Sequence, residues 1–392
     1  MIELRLPAAS SSELRTVTTE RHSLVDRLRA LQFVIQARHP GIRRLALALY
    51  DSASDRVTSF ASSAVAGEDD LHLGWRLQEA PALLCLSQTR STRVVNQLRA
   101  CDQADPATRW LVEHGYRSSY TVPVYAADAL VAFLFFDSVV EGEFTAEVTD
   151  YLDIFADLVT QLYLLRMSVV RTLLGAVGVA KGLARIRDVE TGAHLERMAH
   201  YSSLIAREVA SHFALSDEAV EYIGHFAPLH DIGKVGIPDD ILLKPGRLSP
   251  AERAIMQGHV DIGERLVDQI VSDLGLEGDL SARVMRNIVG QHHERGDGSG
   301  YPRGLSMSEI AAEARIVAVA DVYDALVTTR PYKAAWMVAD SEAELRRMAV
   351  AGQLDATCVD ALVRQREARL QIARSHADGV DPGSQELAGV PP

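Results

Sequence analysis

The stretch Pro228-Leu229-His230-Asp231-Ile232-Gly233-Lys234 sets an imidazole and a carboxylate side by side in an otherwise apolar neighbourhood. Burying either group unpaired costs several kcal/mol or shifts its protonation, and a shared cation satisfies both. Around this stretch, from Arg185 to about Glu367, apolar residues recur at helical spacing nearly throughout, so the C-terminal half reads as an all-α domain.

Working outward, eight of the thirteen histidines lie between His194 and His293. Glu190 and His194 are four apart, which on a helix points both from one face. His292-His293-Glu294 runs into Asp297-Gly298-Ser299-Gly300-Tyr301-Pro302, where glycines allow sharp turns and close approach to a ligand. Asp321 ends the apolar run Ala314-Arg315-Ile316-Val317-Ala318-Val319-Ala320, where a lone carboxylate needs a partner. His259, alone in Met256-Gln257-Gly258-His259, joins this set only through its context. Glu190, His194, His230, Asp231, His259, His292, His293 and Asp321 form a mixed nitrogen and oxygen donor set. It suits iron or manganese better than structural zinc and exceeds what one ion needs.

These motifs, HDIGK at 230–234, HHE at 292–294 and DGSGYP at 297–302, resemble the HD-GYP family. The likeness covers roughly residues 170–365 and continues through Ala320-Asp321-Val322-Tyr323-Asp324-Ala325-Leu326 and Arg330-Pro331-Tyr332-Lys333. It implies a phosphodiesterase hydrolysing cyclic di-GMP, with linear pGpG or GMP as the alternative end products, and two or three divalent ions, Fe or Mn, on those eight residues. Glu190 is the feature associated with a third ion. The resemblance also implies that His230, Asp231 and Lys234 are catalytic, with Asp231 bridging two ions and Lys234 at a substrate phosphate. Tyr301, Asp324, Arg330 and Lys333 would surround a guanine or phosphate. Two other readings stand beside it: an HD-domain phosphohydrolase acting on another nucleotide, and a non-catalytic cyclic di-GMP receptor. Arg197 is either an orienter of a carboxylate near the ions or a surface ion pair. His200, His212 and His225 match no motif position and read as structural or solvent-facing. Where the family commonly has a bulky aromatic before the DGxGYP segment, this chain has Gly296, and Gly304-Leu305-Ser306-Met307 also departs from pattern, so a looser loop is expected.

The N-terminal half has a different grammar. A helix is expected from about Leu14 to Ala37, stopped by His39-Pro40-Gly41. Strands are expected at Leu45–Tyr50, Val57–Ala61, Tyr120–Tyr125 and Leu130–Asp137, the last two joined by the turn Ala126-Ala127-Asp128. Helix, antiparallel sheet and closing helix resemble an α+β GAF-like sensor domain, with a PAS-type sensor as the alternative. Val148, Leu152, Phe155, Val159, Leu162, Val169 and Leu173 alternate by three and four, broken at Arg166, which suits either a homodimer helix or packing on the chain's own domain. The expected layout is a GAF-like domain over 1–165, a linker helix over about 145–185, an HD-GYP domain over 166–370 and a disordered tail over 371–392. A small-molecule ligand of the sensor would act by shifting the linker helix toward Glu190 and His194.

Composition narrows the partners. The 392 residues are 47% hydrophobic and 24% charged, enough for two packed domains. A formal charge of -13 argues against binding nucleic-acid polymers or anionic membranes, which require a basic surface. Three cysteines without a CxxC pair suit a reducing cytoplasm. The first residues lack the pattern of a signal peptide, and Ala129–Phe136 is too short to span a bilayer.

Overall fold

The computed structural model describes residues 24–52, 55–63, 74–99, 106–184, 192–328 and 335–376. The chain divides into two compact units, one over Met1–Leu173 with Ala214–Ala219 and Gly275–Leu280, the other comprising the rest.

In the first unit, α1 (Leu24–Arg38) leads into β1 (Ile42–Asp51) and β2 (Arg56–Ser62), then β3 (Gly74–Arg76), α2 (Pro81–Thr89), β4 (Arg93–Val95), α3 (Pro106–Glu113), β5 (Ser118–Ala126), β6 (Ala129–Ser138) and the 39-residue helix α4 (Ala146–Ala184). The six strands form one sheet in the order β3-β2-β1-β6-β5-β4, every described pairing antiparallel. Strand alternation sends Leu45, Leu47 and Leu49 of β1 and Leu134 and Phe136 of β6 to one face, where they pack with Leu28, Leu31 and Ile35 of α1 and Leu152, Phe155 and Val159 of α4. Ala48, Phe133 and Phe135 point the other way, onto Leu83 and Leu86 of α2. Both faces are covered, which explains why β1 and β6 read as nearly continuous apolar runs. This is the expected α+β arrangement, an antiparallel sheet flanked by helices. All four expected strands are present, and the opening helix runs from Leu24, residues 14–23 lying outside the described set.

The long-helix stripe packs on its own domain: Val148, Leu152, Phe155 and Val159 are core residues, not a seam for a second chain. Arg166, which breaks the stripe, makes ion pairs with Glu218 at 3.0 Å and Asp279 at 2.8 Å inside the same unit. Ile154, Leu158 and Leu165 stay exposed instead, and at 3.6 residues per turn they fall within about 40° of arc.

The second unit is helical. It holds α5 (Gly192–Val209), α6 (Asp217–Phe226) from Val220 onward, α7 (Asp239–Leu242), α8 (Pro250–Gln257), α9 (His259–Asp273), α10 (Leu280–Gln291) from Ser281 onward, α11 (Ala312–Val327), α12 (Val338–Val350), α13 (Ala356–Arg364) and α14 (Arg366–Ser375). α5 packs against α11 and α13, and the 3-10 turn Ile232–Gly236 packs against α9. Gly233 makes that last contact possible, because a Cβ there would collide with the backbone carbonyl of His259. The chain stays ordered beyond the expected start of the tail at 371. α14 reaches Ser375, anchored by fully buried Arg369, which pairs with Glu342 at 2.6 Å and lies over the Tyr323 ring. The remainder of the tail is outside the described residues. No described helix is long and apolar enough to cross a membrane. Cys85 and Cys358 are free thiols.

Candidate metal centre

Four elements of the helical unit deliver histidines to one place. His194 comes from the first turn of α5, His230 from the end of the 3-10 turn Ala227–Leu229, His259 from the start of α9, and His292 and His293 from just beyond α10. Asp231 and Asp321 complete the set. Ligand atoms of Asp231, His259, His292 and His293 lie within 4.8 Å of one another, and so do those of His194, His230 and Asp321. Two adjoining groups of donors are thus present, with His230 Nε2 3.0 Å from Asp231 Oδ2 linking them.

The tautomers follow from the backbone. His230 Nδ1 is 2.8 Å from the carbonyl of Ala227, His259 Nδ1 is 2.8 Å from that of Met256, and His292 Nδ1 is 3.1 Å from those of Ile288 and Val289. A carbonyl only accepts, so each Nδ1 carries the proton, and in a neutral ring the Nε2 lone pair faces inward. His259 Nε2 stands 3.0 Å and His292 Nε2 3.6 Å from Asp231 Oδ1, and none of these three atoms has a hydrogen bond although all are buried. Lone pairs facing a carboxylate oxygen at this range repel unless a positive charge lies among them. Divalent ions fit this donor set.

Electrostatics keep the donors ready. Burial pushes His292 and His293 toward the neutral form, reinforced by neighbouring imidazoles. Burial alone would raise the Asp231 carboxyl, but Lys234, whose Nζ is 2.9 Å from Oδ2, and His230 hold it well below the usual carboxylate range. Burial and the charges of Asp231 and Asp321 raise the Tyr301 phenol. Its ring packs 4.7 Å from that of His293, bringing the DGSGYP loop to the edge of the centre.

Arg197 resolves in favour of orientation. It is buried, and its Nε and Nη2 donate to the two oxygens of Asp324 at 2.6 and 3.1 Å, while Asp324 Oδ2 accepts from His194 Nδ1 at 2.7 Å. Asp324 therefore stands behind a metal-type histidine, as outer carboxylates do at metal sites. This corrects its expected place beside the substrate: at 1% exposure it has no open face to offer. Glu190, Arg330 and Lys333 lie outside the described residues.

The loop is not loose. Buried Glu294 accepts hydrogen bonds from the backbone of Arg303 at 2.7 Å and Leu305 at 2.9 Å, so the third letter of HHE closes the DGSGYP segment. A Cβ on Gly296 would strike the Met307 side chain, while Met307 N donates to Gly296 O at 3.0 Å. The two departures from the family pattern fill one space between them. Each is visible in the sequence, but no local pattern signals that they touch.

Helices thus present buried histidine and aspartate donors to a common centre that could hold metal ions. Residues 188–358 match the family model described as HD domain. The response regulator RpfG of Xanthomonas campestris, named a cyclic di-GMP phosphodiesterase, is 47% identical over 187 residues, which cover 47% of this chain and 46% of that protein. A cyclic di-GMP phosphodiesterase of Thermotoga maritima is 48% identical over 151 residues, 38% of each chain. A 3'3'-cGAMP-specific phosphodiesterase 2 of Vibrio cholerae is 42% identical over 150 residues, 38% of this chain and 27% of that one. The chain spans less than half the length of these relatives. Among solved structures, the GAF domain of an Acinetobacter phosphoenolpyruvate-protein phosphotransferase aligns over 42% of this chain and 98% of its own, at 17% identity and TM-score 0.31.

Proposed function

We propose that this chain is a metal-dependent phosphodiesterase that hydrolyses cyclic di-GMP to linear pGpG and, by a second cleavage, to GMP. The observation that carries this reading is the convergence of imidazole Nε2 atoms, each with its Nδ1 proton spent on a backbone carbonyl, around buried Asp231. The names of relatives at 47% and 48% identity support the substrate. Two or three iron or manganese ions would be held by His194, His230, Asp231, His259, His292, His293 and Asp321, with Glu190 for a third. Bound there, divalent ions would supply Lewis acidity and a source of hydroxide at neutral pH. The chain's own residues do the rest. Lys234, part-exposed beside Asp231, meets a phosphoryl oxygen; Tyr301 walls one side; Arg330 and Lys333 supply further cationic contacts. Arg197 and Asp324 fix the ring of His194.

The N-terminal unit acts as a sensor. Arg44, Ser59, Trp75 and Trp110 line a recess against the sheet, and Arg44 Nε, Ser59 Oγ and both indole Nε1 atoms are buried there without a hydrogen bond. Such donors suit a small ligand rich in acceptors, whose binding would shift α4 and, through it, the chain leading to His194. Homodimerisation would use the exposed Ile154, Leu158 and Leu165 face of α4. The free thiols suit the cytoplasm. The test is turnover of cyclic di-GMP and of 3'3'-cGAMP by the same metal-loaded protein, with and without His230→Ala. Hydrolysis of cyclic di-GMP with the higher kcat/KM, lost in the variant, is expected. Preference for 3'3'-cGAMP would move the assignment to the Vibrio cholerae type, and tight nucleotide binding without turnover would make the chain a receptor.

A further inference from the structure

We propose a second, peripheral metal site, formed by Glu196, His200 and His376 and suited to a borderline divalent ion such as zinc. It shares no ligand with the proposed catalytic centre. Glu196 and His200 are four apart on α5 and so share a face, and His376 follows the last residue of α14. One ligand atom from each lies within 4.8 Å of the other two. The rings of His200 and His376 stack with centroids 4.7 Å apart and 29° between planes.

The third ligand is held before any ion arrives. The backbone N–H of His376 donates to Ile372 at 3.0 Å, and its carbonyl accepts from Arg197 Nη1 at 2.8 Å. Two imidazole nitrogens and a carboxylate oxygen are a borderline donor set that zinc accepts, with water completing the tetrahedron on the solvent side. Ligand atoms about 2.0–2.2 Å from one zinc ion stand no more than about 4.4 Å apart, so a small rotamer change of exposed Glu196 closes the set. Stacked imidazoles that would repel as a cationic pair gain a shared partner instead.

The site has a structural consequence. The same Arg197 that holds His376 grips Asp324, and Asp324 holds His194. Occupancy would therefore pin the end of α14 to the brace behind the main centre. Neither His200 nor His376 belongs to a motif, and they stand far apart in the chain, so no local pattern announces the site.

The experiment is zinc bound per full-length chain, by equilibrium dialysis and elemental analysis at buffered micromolar free zinc, in wild type, His376→Gln and Glu196→Gln. The main centre is unchanged in all three and cancels in the difference. Wild type should hold one more zinc than His376→Gln, and Glu196→Gln, an exposed change that leaves folding intact, should need at least tenfold more free zinc for the same occupancy. Zinc should also slow tryptic cleavage after Arg374 in wild type only. Equal zinc content and equal cleavage in all three proteins would overturn the proposal, whatever the protein does to cyclic dinucleotides.

Discussion

Each unit buries an aspartate, and the two are handled in opposite ways. Asp137, fully buried in β6, is answered by side chains: Arg44 at 2.6 Å and Ser119 Oγ at 2.6 Å. Asp231, also buried in the helical unit, faces Lys234 on one oxygen and imidazole lone pairs on the other. The first arrangement is complete as a structure. The second is complete only with cations, and its cost without them is the signature of a working site.

The sharpest way to break this contrast is to remove the carboxylates in turn. Asp231→Ala should abolish turnover, a loss of at least ~10³-fold, and release bound metal, because electrostatic and metal assistance of this kind carries most of the rate. Product release by chromatography and elemental analysis of the same sample check it. Asp137→Ala should leave the metal content alone but destabilise the N-terminal unit by about 3–5 kcal/mol, since it strands the Arg44 guanidinium. In urea unfolding of the metal-free protein, Asp231→Ala should be the milder of the two; the reverse order would mean that Asp231 is an ordinary structural acid.

A smaller effect is expected one layer out. Asp324→Asn keeps the shape but weakens the grip on His194 and Arg197, and such outer partners are worth about 10–100-fold in metal affinity or activity. Metal affinity measured by competition with a chelator should fall while the fold, read by circular dichroism, is unchanged. If only stability falls, Asp324 belongs with Asp137.

The smallest effect concerns a half-buried carboxylate with ordinary partners. Glu252, bonded to Lys244 at 2.6 Å and to the backbone N–H of Ser249 at 2.7 Å at the start of α8, is held down to about 2 by the lysine first and the serine second. Its folded value lies below its unfolded one, so its contribution is fully present above about 4.5 and is lost as pH falls through about 2. Carbon-detected NMR titration should find that midpoint in wild type and a higher one in Lys244→Ala, still below an ordinary glutamate because the Ser249 hydrogen bonds remain.

What the sequence displayed follows the same divide. The centre was legible because its donors sit in short local motifs, so that His230-Asp231, His292-His293 and Asp321 stand out by residue type and neighbourhood alone. Isolated His259 was reachable only through them, and it takes its place because Gly258 and the start of α9 aim it inward. Asp324 was misplaced because position in a motif does not tell which way a helix turns a side chain; α11 turns it to Arg197. In the sheet unit the long central strands were plain from their apolar runs, whereas β3 and β4, three residues each, are too short to show a period. The stripe on α4 was visible but its destination was not, since packing on a sheet and packing on a second chain demand the same apolar spacing. Gly296 and Met307 each looked like a loss, and only their contact shows compensation.

The most direct test of the central claim is cyclic di-GMP turnover by protein purified without oxygen and loaded with ferrous iron or manganese, with metal per chain counted on the same sample. The account predicts hydrolysis with two or three metals in the main centre, and loss of both activity and those metals in His230→Ala and Asp231→Ala. A fully metallated protein that binds the nucleotide tightly yet never cleaves it, or one whose turnover survives either substitution, would contradict it.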